Sequence, residues 1–185
     1  MEVTMIVSKN FTWASAHILP NHDGKCSRLH GHNYKAQVSV EIPDWSIPRL
    51  RGPQEGMVLD FGLLTKIVKT DLIDEWDHRF LVAGDEWPWF VGEWEVEDHF
   101  AFVGVRTTAE NLAAYLADEI FFRLRYLGMT SSLAVQVTLW ETETSTADAF
   151  MPGCDIWLDA QAELVGQSEE RRYRLGRRKQ WLASK

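Results

Sequence analysis

Residues 32–42 alternate strictly. His32, Tyr34, Ala36, Val38 and Val40 fall on one side, while Lys35, Gln37, Ser39 and Glu41 fall on the other. A period of two is that of a half-buried β-strand, so the first set faces an interior. His30 stands two residues before His32 and, in an extended chain, shares its face. A buried face that opens on two imidazoles is a strong constraint, because buried polar groups need partners. Neutral imidazole suits zinc, and two from one strand are half of a tetrahedral set. His17 closes a second extended run, Phe11-Thr12-Trp13-Ala14-Ser15-Ala16-His17, which an antiparallel neighbour would bring alongside. Three histidines and an open fourth position describe a catalytic zinc site better than a structural one. The competing explanation makes each histidine an ordinary polar residue near a turn. Cys26, four residues before His30, is either a reactive thiol beside the metal or a fourth ligand that would close the site.

Around this pair the chain reads as a small α+β domain. Residues 3–19 predict a first strand, broken or bulged near Ser8-Lys9-Asn10, and Pro20 to Gly24 is turn chemistry. A loop from Pro43 to Gly56 precedes Asp60, placed as the N-cap of a helix carrying Leu64, Ile67, Val68 and Leu72 through about residue 75. Trp76-Asp77-His78 follows, then an aromatic, acidic stretch over 83–104. Thr107-Thr108-Ala109-Glu110 matches a capping box for a second helix, with Leu112, Ala113, Leu116, Ile120 and Leu124 as its stripe and Gly128 as its stop. The strand from Leu133 to Glu141 puts Leu133, Val135, Val137 and Leu139 on one face, and Glu141 is next on that face. An unpaired buried carboxylate is costly, so Glu141 needs a partner. Residues 155–159 predict one more short strand. The order β-β-α-α-β(-β) implies an antiparallel sheet with both helices on one face. Its open edges favour association into a closed assembly.

Composition narrows the function classes. The 185 residues are enough for one domain with a real core, and 45% hydrophobic with 25% charged content is that of a globular protein. There is no apolar run of membrane-spanning length and no basic leader segment, so the expectation is a cytoplasmic protein. Two cysteines, Cys26 and Cys154, make no disulfide framework. Net charge is −8, yet residues 171–185 hold seven Lys/Arg and no acid, which leaves 12 basic against 27 acidic residues, or −15, in 1–170. So acidic a body does not suit nucleic acid. The tail is compatible with a short helix docking on that body, with RNA binding as the weaker alternative. Trp76, Trp87, Trp89 and Trp94 suggest a locally packed insertion or an interface.

Ala16-His17, Cys26 ahead of His30-Gly31-His32, Leu59-Asp60-Phe61, Asp77-His78, Thr108-Ala109-Glu110 and Glu141-Thr142 stand in an order that resembles the 6-pyruvoyl-tetrahydropterin synthase family. The resemblance spans roughly residues 5–145, within a domain set at 1–150. It leaves out the insertion at 83–104 and the extension 151–185. The three residues between Cys26 and His30 resemble the carboxytetrahydropterin-forming branch. What the resemblance implies is a tunnelling fold closed into an oligomeric barrel (a hexamer), and zinc on His17, His30 and His32. The implied substrate is 7,8-dihydroneopterin triphosphate, and the products are 6-carboxy-5,6,7,8-tetrahydropterin, acetaldehyde and triphosphate. Cys26 would act as base, His78 as a proton relay supported by Asp77, Glu141 as hydrogen-bond acceptor for the pterin ring, and Thr108 and Glu110 as pocket lining.

Each role has a structural competitor. Asp77-His78 could end a helix, Glu110 could serve only the capping box, and Glu141 could pair with an arginine in an assembly. Among functions, a pyruvoyl synthase would use the same residues. A non-catalytic zinc- or pterin-binding module would not need Cys26, Asp77 and His78. A cupin would need a glutamate about four residues beyond His32, where the chain has Asn33 to Gln37.

Overall fold

A computed structural model describes residues 3–43, 52–83, 99–130, 132–153 and 183. The anticipated strand at 155–159, the basic tail, Trp87, Trp89, Trp94 and Cys154 lie outside the described residues. Six strands form one sheet: β1 (Thr4–His17), β2 (His30–Pro43), β3 (Phe80–Ala83), β4 (Phe100–Val103), β5 (Ala134–Thr142) and β6 (Ser145–Met151), in spatial order β4-β3-β1-β2-β5-β6. β1, β2 and β5 pair antiparallel, as expected, and β6, a strand the sequence did not foretell, pairs antiparallel with β5. β3 and β4 add to the β1 side in parallel, which the sequence did not foretell. The end of the anticipated insertion is thus part of the sheet.

The expected break near Ser8-Lys9-Asn10 is absent. β1 and β2 pair without interruption from Thr4↔Pro43 to His17↔His30. Lys9 is a polar residue on the interior face, and its amine donates to Thr65 Oγ1 at 2.5 Å. A distant partner, and not a bulge, accounts for it.

Two helical segments cover that face. α1 (Phe61–Thr65) starts at Asp60, whose Oδ1 accepts from Leu63 N at 2.9 Å, the predicted N-cap. It does not continue as one α-helix. The chain widens into a π-turn at Lys66–Thr70 and then a 3₁₀ turn at Ile73–Glu75. The reason is in the spacing of the apolar residues. Ile67 and Leu72, like Val68 and Ile73, are five apart, and all four are buried. A five-residue turn aligns them where a 3.6-residue turn would not.

α2 (Ala109–Tyr126) packs on β5 and β6 and buries Leu112, Ala113, Leu116, Ile120 and Leu124 as predicted. It also buries Tyr115, whose ring lies 5.5 Å from that of Trp76, and a Glu119–Arg123 pair hydrogen-bonded along the helix. Gly128, at φ +88°, ends it. Met129 N donates to Leu124 O and Gly128 N to Arg125 O, the paired bonds of a Schellman stop. At the other end the N-cap is Thr108, whose hydroxyl accepts from Asn111 N. Glu110 is therefore one residue short of the capping-box position. No helix of the described residues is long and apolar enough to cross a membrane.

Leu116, fully buried between helix and sheet, measures how tightly this core is packed. Leu116→Ala should cost about 2–5 kcal/mol in chemical denaturation.

Candidate metal centre and active site

The site grows out of the β1–β2 register. His17 and His30 are direct cross-strand partners, and His32 sits opposite Ser15, one pleat along the same face. Their ring centroids are 4.6–5.2 Å apart. One ring nitrogen of each lies within 4.8 Å of the others, so the three could hold a metal ion together. Gly31 lies between the two β2 histidines, where a Cβ would come within 3.2 Å of Ser15 O. The lack of a side chain lets β2 lie close against β1 at this point.

Hydrogen bonds fix the tautomers. His17 Nδ1 is 2.8 Å from Thr107 O, and His30 Nδ1 is 2.6 Å from Arg28 O. A carbonyl only accepts, so each Nδ1 carries the proton and each Nε2 keeps its lone pair. Metal-ligating histidines are oriented by such bonds. His17 Nε2 and His32 Nε2 are buried without a hydrogen-bond partner. Burial lowers the His17 pKa to about 4, and burial together with the neighbouring His30 lowers that of His32 despite the opposing pull of Glu141. His17 is thus neutral at physiological pH. Lone pairs that converge, are desolvated and have no donor to meet them fit a divalent cation. Thr107 and Arg28 serve through backbone carbonyls, which no residue pattern reveals.

Behind the histidines, Tyr34 stacks on Trp13 at 5.2 Å and meets the His17 and His32 rings edge-on. Burial, with the charge of Glu141, raises the pKa of its phenol. Glu141 reaches the cluster from β5. Its Oε1 is 3.5 Å from His17 Nε2 and 3.9 Å from His32 Nε2. The carboxylate on an apolar face thus points at histidines, and within this chain no arginine is needed to explain it.

The other sequence-predicted residues are distributed around this centre. Cys26 is a free, half-buried thiol in a 3₁₀ turn (Lys25–Ser27), and its carbonyl accepts from Leu19 N. It is not in the three-histidine group, which argues against a closed Cys-His₃ site. Thr108 is joined to the centre through Thr107, and Glu110 is exposed in the first turn of α2.

Asp77 and His78 pair with each other, His78 Nδ1 lying 2.9 Å from Asp77 Oδ1. Asp77 also accepts from Ala14 N at 3.0 Å and lies 3.6 Å from Lys69 Nζ. His78 holds φ +62° and its side chain is 82% exposed. Its backbone N–H donates to Ala14 O, and its ring pairs with Asp77. With Phe100 it borders an open cleft of about 620 Å³ whose lining takes in Ala14, Ala16, Gly31 and Asn33 together with Ser15 and His32, one of the three histidines.

Partial burial raises the Asp77 pKa, but the Ala14 N–H, His78 and Lys69 outweigh it and leave the pKa lowered. A carboxylate with a depressed native pKa stabilises the fold above its unfolded pKa and loses that contribution as pH falls through the native value. Asp77→Asn should therefore cost about 1 kcal/mol at neutral pH, the low end because solvent screens the site. Denaturation curves of the two proteins should converge in acid.

The matches to known proteins agree with this geometry. The family model described as 6-pyruvoyl tetrahydropterin synthase matches residues 6–151. A 6-carboxy-5,6,7,8-tetrahydropterin synthase of Haemophilus influenzae is 37% identical over 150 residues, covering 75% of this chain and 94% of that protein. The Synechocystis protein of the same name is 33% identical, covering 80% and 94%. Among solved structures, an uncharacterized Wolinella succinogenes protein superposes with a TM-score of 0.62 at 23% identity, covering 80% of this chain and 98% of its own. A Plasmodium vivax 6-pyruvoyltetrahydropterin synthase variant does so at 0.59 and 16%, covering 81% and 99%. Those last two likenesses speak to the fold alone. By the extent of the family match and the identity of these two relatives, each above 30%, the chain belongs to the 6-pyruvoyl tetrahydropterin synthase family.

Proposed function

We propose that this protein is a zinc-dependent lyase that converts 7,8-dihydroneopterin triphosphate and one water to 6-carboxy-5,6,7,8-tetrahydropterin, acetaldehyde and triphosphate. The observation that carries it is the convergence of His17, His30 and His32 at a desolvated strand end faced by Glu141. The names of the relatives support the carboxy product over the pyruvoyl one.

His17, His30 and His32 would hold the metal, which when bound supplies Lewis-acid polarisation of substrate side-chain oxygens. Everything else falls to side chains of this protein. Cys26, half-buried beside the strand that carries His30 and His32, accepts the proton from the side-chain carbon. Glu141 accepts hydrogen bonds from the pterin 2-amino group and ring N–H, which fixes the ring. Thr108 and Glu110, at the start of α2, border the ring pocket. Asp77 orients His78 for proton exchange. The His78 ring is exposed, which suits a relay that serves the site of a neighbouring copy. We assign the assembly to a homo-oligomer, a hexamer in the family pattern, working in the cytoplasm.

Three measurements test these assignments. Elemental analysis should find one zinc per chain in the wild type and none in His30→Ala; equal zinc in both would remove the site. Cys26→Ala should keep its zinc and lose turnover by about 10²–10⁴-fold, the usual worth of a general base. Loss of zinc from that variant would make the thiol a ligand instead. Mass spectrometry after incubation with 7,8-dihydroneopterin triphosphate should show the carboxypterin with acetaldehyde. A pyruvoyl pterin without acetaldehyde would overturn the reaction and leave the fold standing.

A further inference from the structure

The chain carries 27 acidic side chains against 19 Lys and Arg, yet the cleft beside His78 departs from that balance. His78, Arg79 and His99 line it, and among its described lining residues there is no aspartate or glutamate. In a protein of net charge −8, a concave surface with basic groups and no acid gathers anions where the rest of the surface repels them.

Arg79 gives the cleft its sign. It is half-buried, and its guanidinium has no hydrogen bond or ion pair among the described residues. A cation drawn out of water without an acceptor is costly, so the acceptor has to come from outside. The backbone at this point is pinned. Arg79 N donates to Trp76 O and Arg79 O accepts from Ala16 N, both at 3.1 Å. The side chain thus starts from a fixed point, and its planar fork suits the paired oxygens of a phosphate.

The rest of the lining describes the kind of anion. Phe80 and Phe100 are partners across β3 and β4, their rings meet edge to face at 5.7 Å, and both border the cleft. His99, the exposed residue before β4, adds a ring N–H. Apolar walls with a guanidinium suit an organic phosphate better than a bare inorganic ion. His78, the proposed proton relay, immediately precedes Arg79. A relay acts on the three-carbon side chain of the substrate, and the triphosphate is esterified to the last carbon of that chain. The residue adjoining the relay is therefore the one placed to meet the phosphates.

We propose that Arg79, assisted by His99, is the anion-binding element of this cleft and holds the triphosphate of the substrate on which His78 acts. This rests on the reading of the substrate as a pterin triphosphate. It gives the protein a hold on the end of the substrate remote from the ring, and it keeps a polyanion at a surface whose overall charge opposes it.

The test uses the zinc-loaded full chain and inorganic triphosphate alone, titrated by calorimetry at fixed ionic strength. Wild type should bind it. Arg79→Met, which keeps the aliphatic stem, and Arg79→Gln, which keeps a polar end, should each bind about 10–100-fold more weakly, the worth of hydrogen bonds to a charged group. Arg79→Lys should regain part of the loss, because it restores the charge without the fork. Zinc content and melting temperature of the variants should match the wild type, which shows that fold and centre are intact. A wild type that binds sulfate as tightly as triphosphate would overturn the proposal, as would neutral variants that bind triphosphate as the wild type does. With 7,8-dihydroneopterin triphosphate as substrate, the loss in Arg79→Met should fall mainly on KM, the mark of a hold on the bound substrate. An unchanged KM would overturn the proposal and leave the reaction standing. The calorimetric arm uses no turnover, so a wrong product assignment would leave its result unaffected.

Discussion

The pairing of β1 with β2 is the interaction on which the site depends. The two strands run side by side for fourteen residues each, and His17 is matched to His30 at the last rung. Because strand side chains alternate, a slip of one residue would send His30 and His32 to the opposite face and turn Lys35, Gln37 and Ser39 inward. Burial of Phe11 and Trp13 from β1 and of Tyr34, Ala36, Val38 and Val40 from β2 forbids that slip. The hydrophobic core thus sets the positions of the three imidazoles that could hold a metal. Stacked Trp13 and Tyr34 occupy the rung next to the histidines, so the imidazoles rest on a rigid aromatic layer.

Much of this was legible before any coordinates. The alternation of β2 gave the interior face, and with it the histidines and the anomaly of Glu141. Asp60 and Gly128 marked helix ends through local chemistry that needs no tertiary context. What was not legible has identifiable causes. Lys9 looked like a break because its partner, Thr65, is 56 residues away. Glu110 mimicked a capping box because two threonines adjoin, and the second takes the cap. The parallel strands β3 and β4 are four residues each, too short for a period to show. Thr107 and Arg28 act through carbonyls, and carbonyls are common to every residue.

The polar groups of the centre are costly to bury, and the structure meets that cost in two places. Burial holds His17 and His32 below the usual histidine pKa, and both share the helix-covered side with the core. Asp77 and His78 are held at the β1 edge through Ala14 and stay in contact with water. Placing Asp77 beside the histidines would add a second carboxylate to the one Glu141 already brings there.

The open face of the sheet completes the physical picture. Ser8 bonds Ser39, Gln37 reaches Asn10, Thr138 donates to Asp148, and Lys35 lies over the Trp140 ring. Such a face satisfies its own polar groups and needs no covering layer, so it suits a wetted surface. Among the described residues, β4 and β6 are the outer strands of the sheet. Unpaired edge N–H and C=O groups are what a neighbouring strand completes. A sheet with a helix-covered back and a polar front would close by joining its outer strands with those of other copies, which is the physical basis of the proposed homo-oligomer.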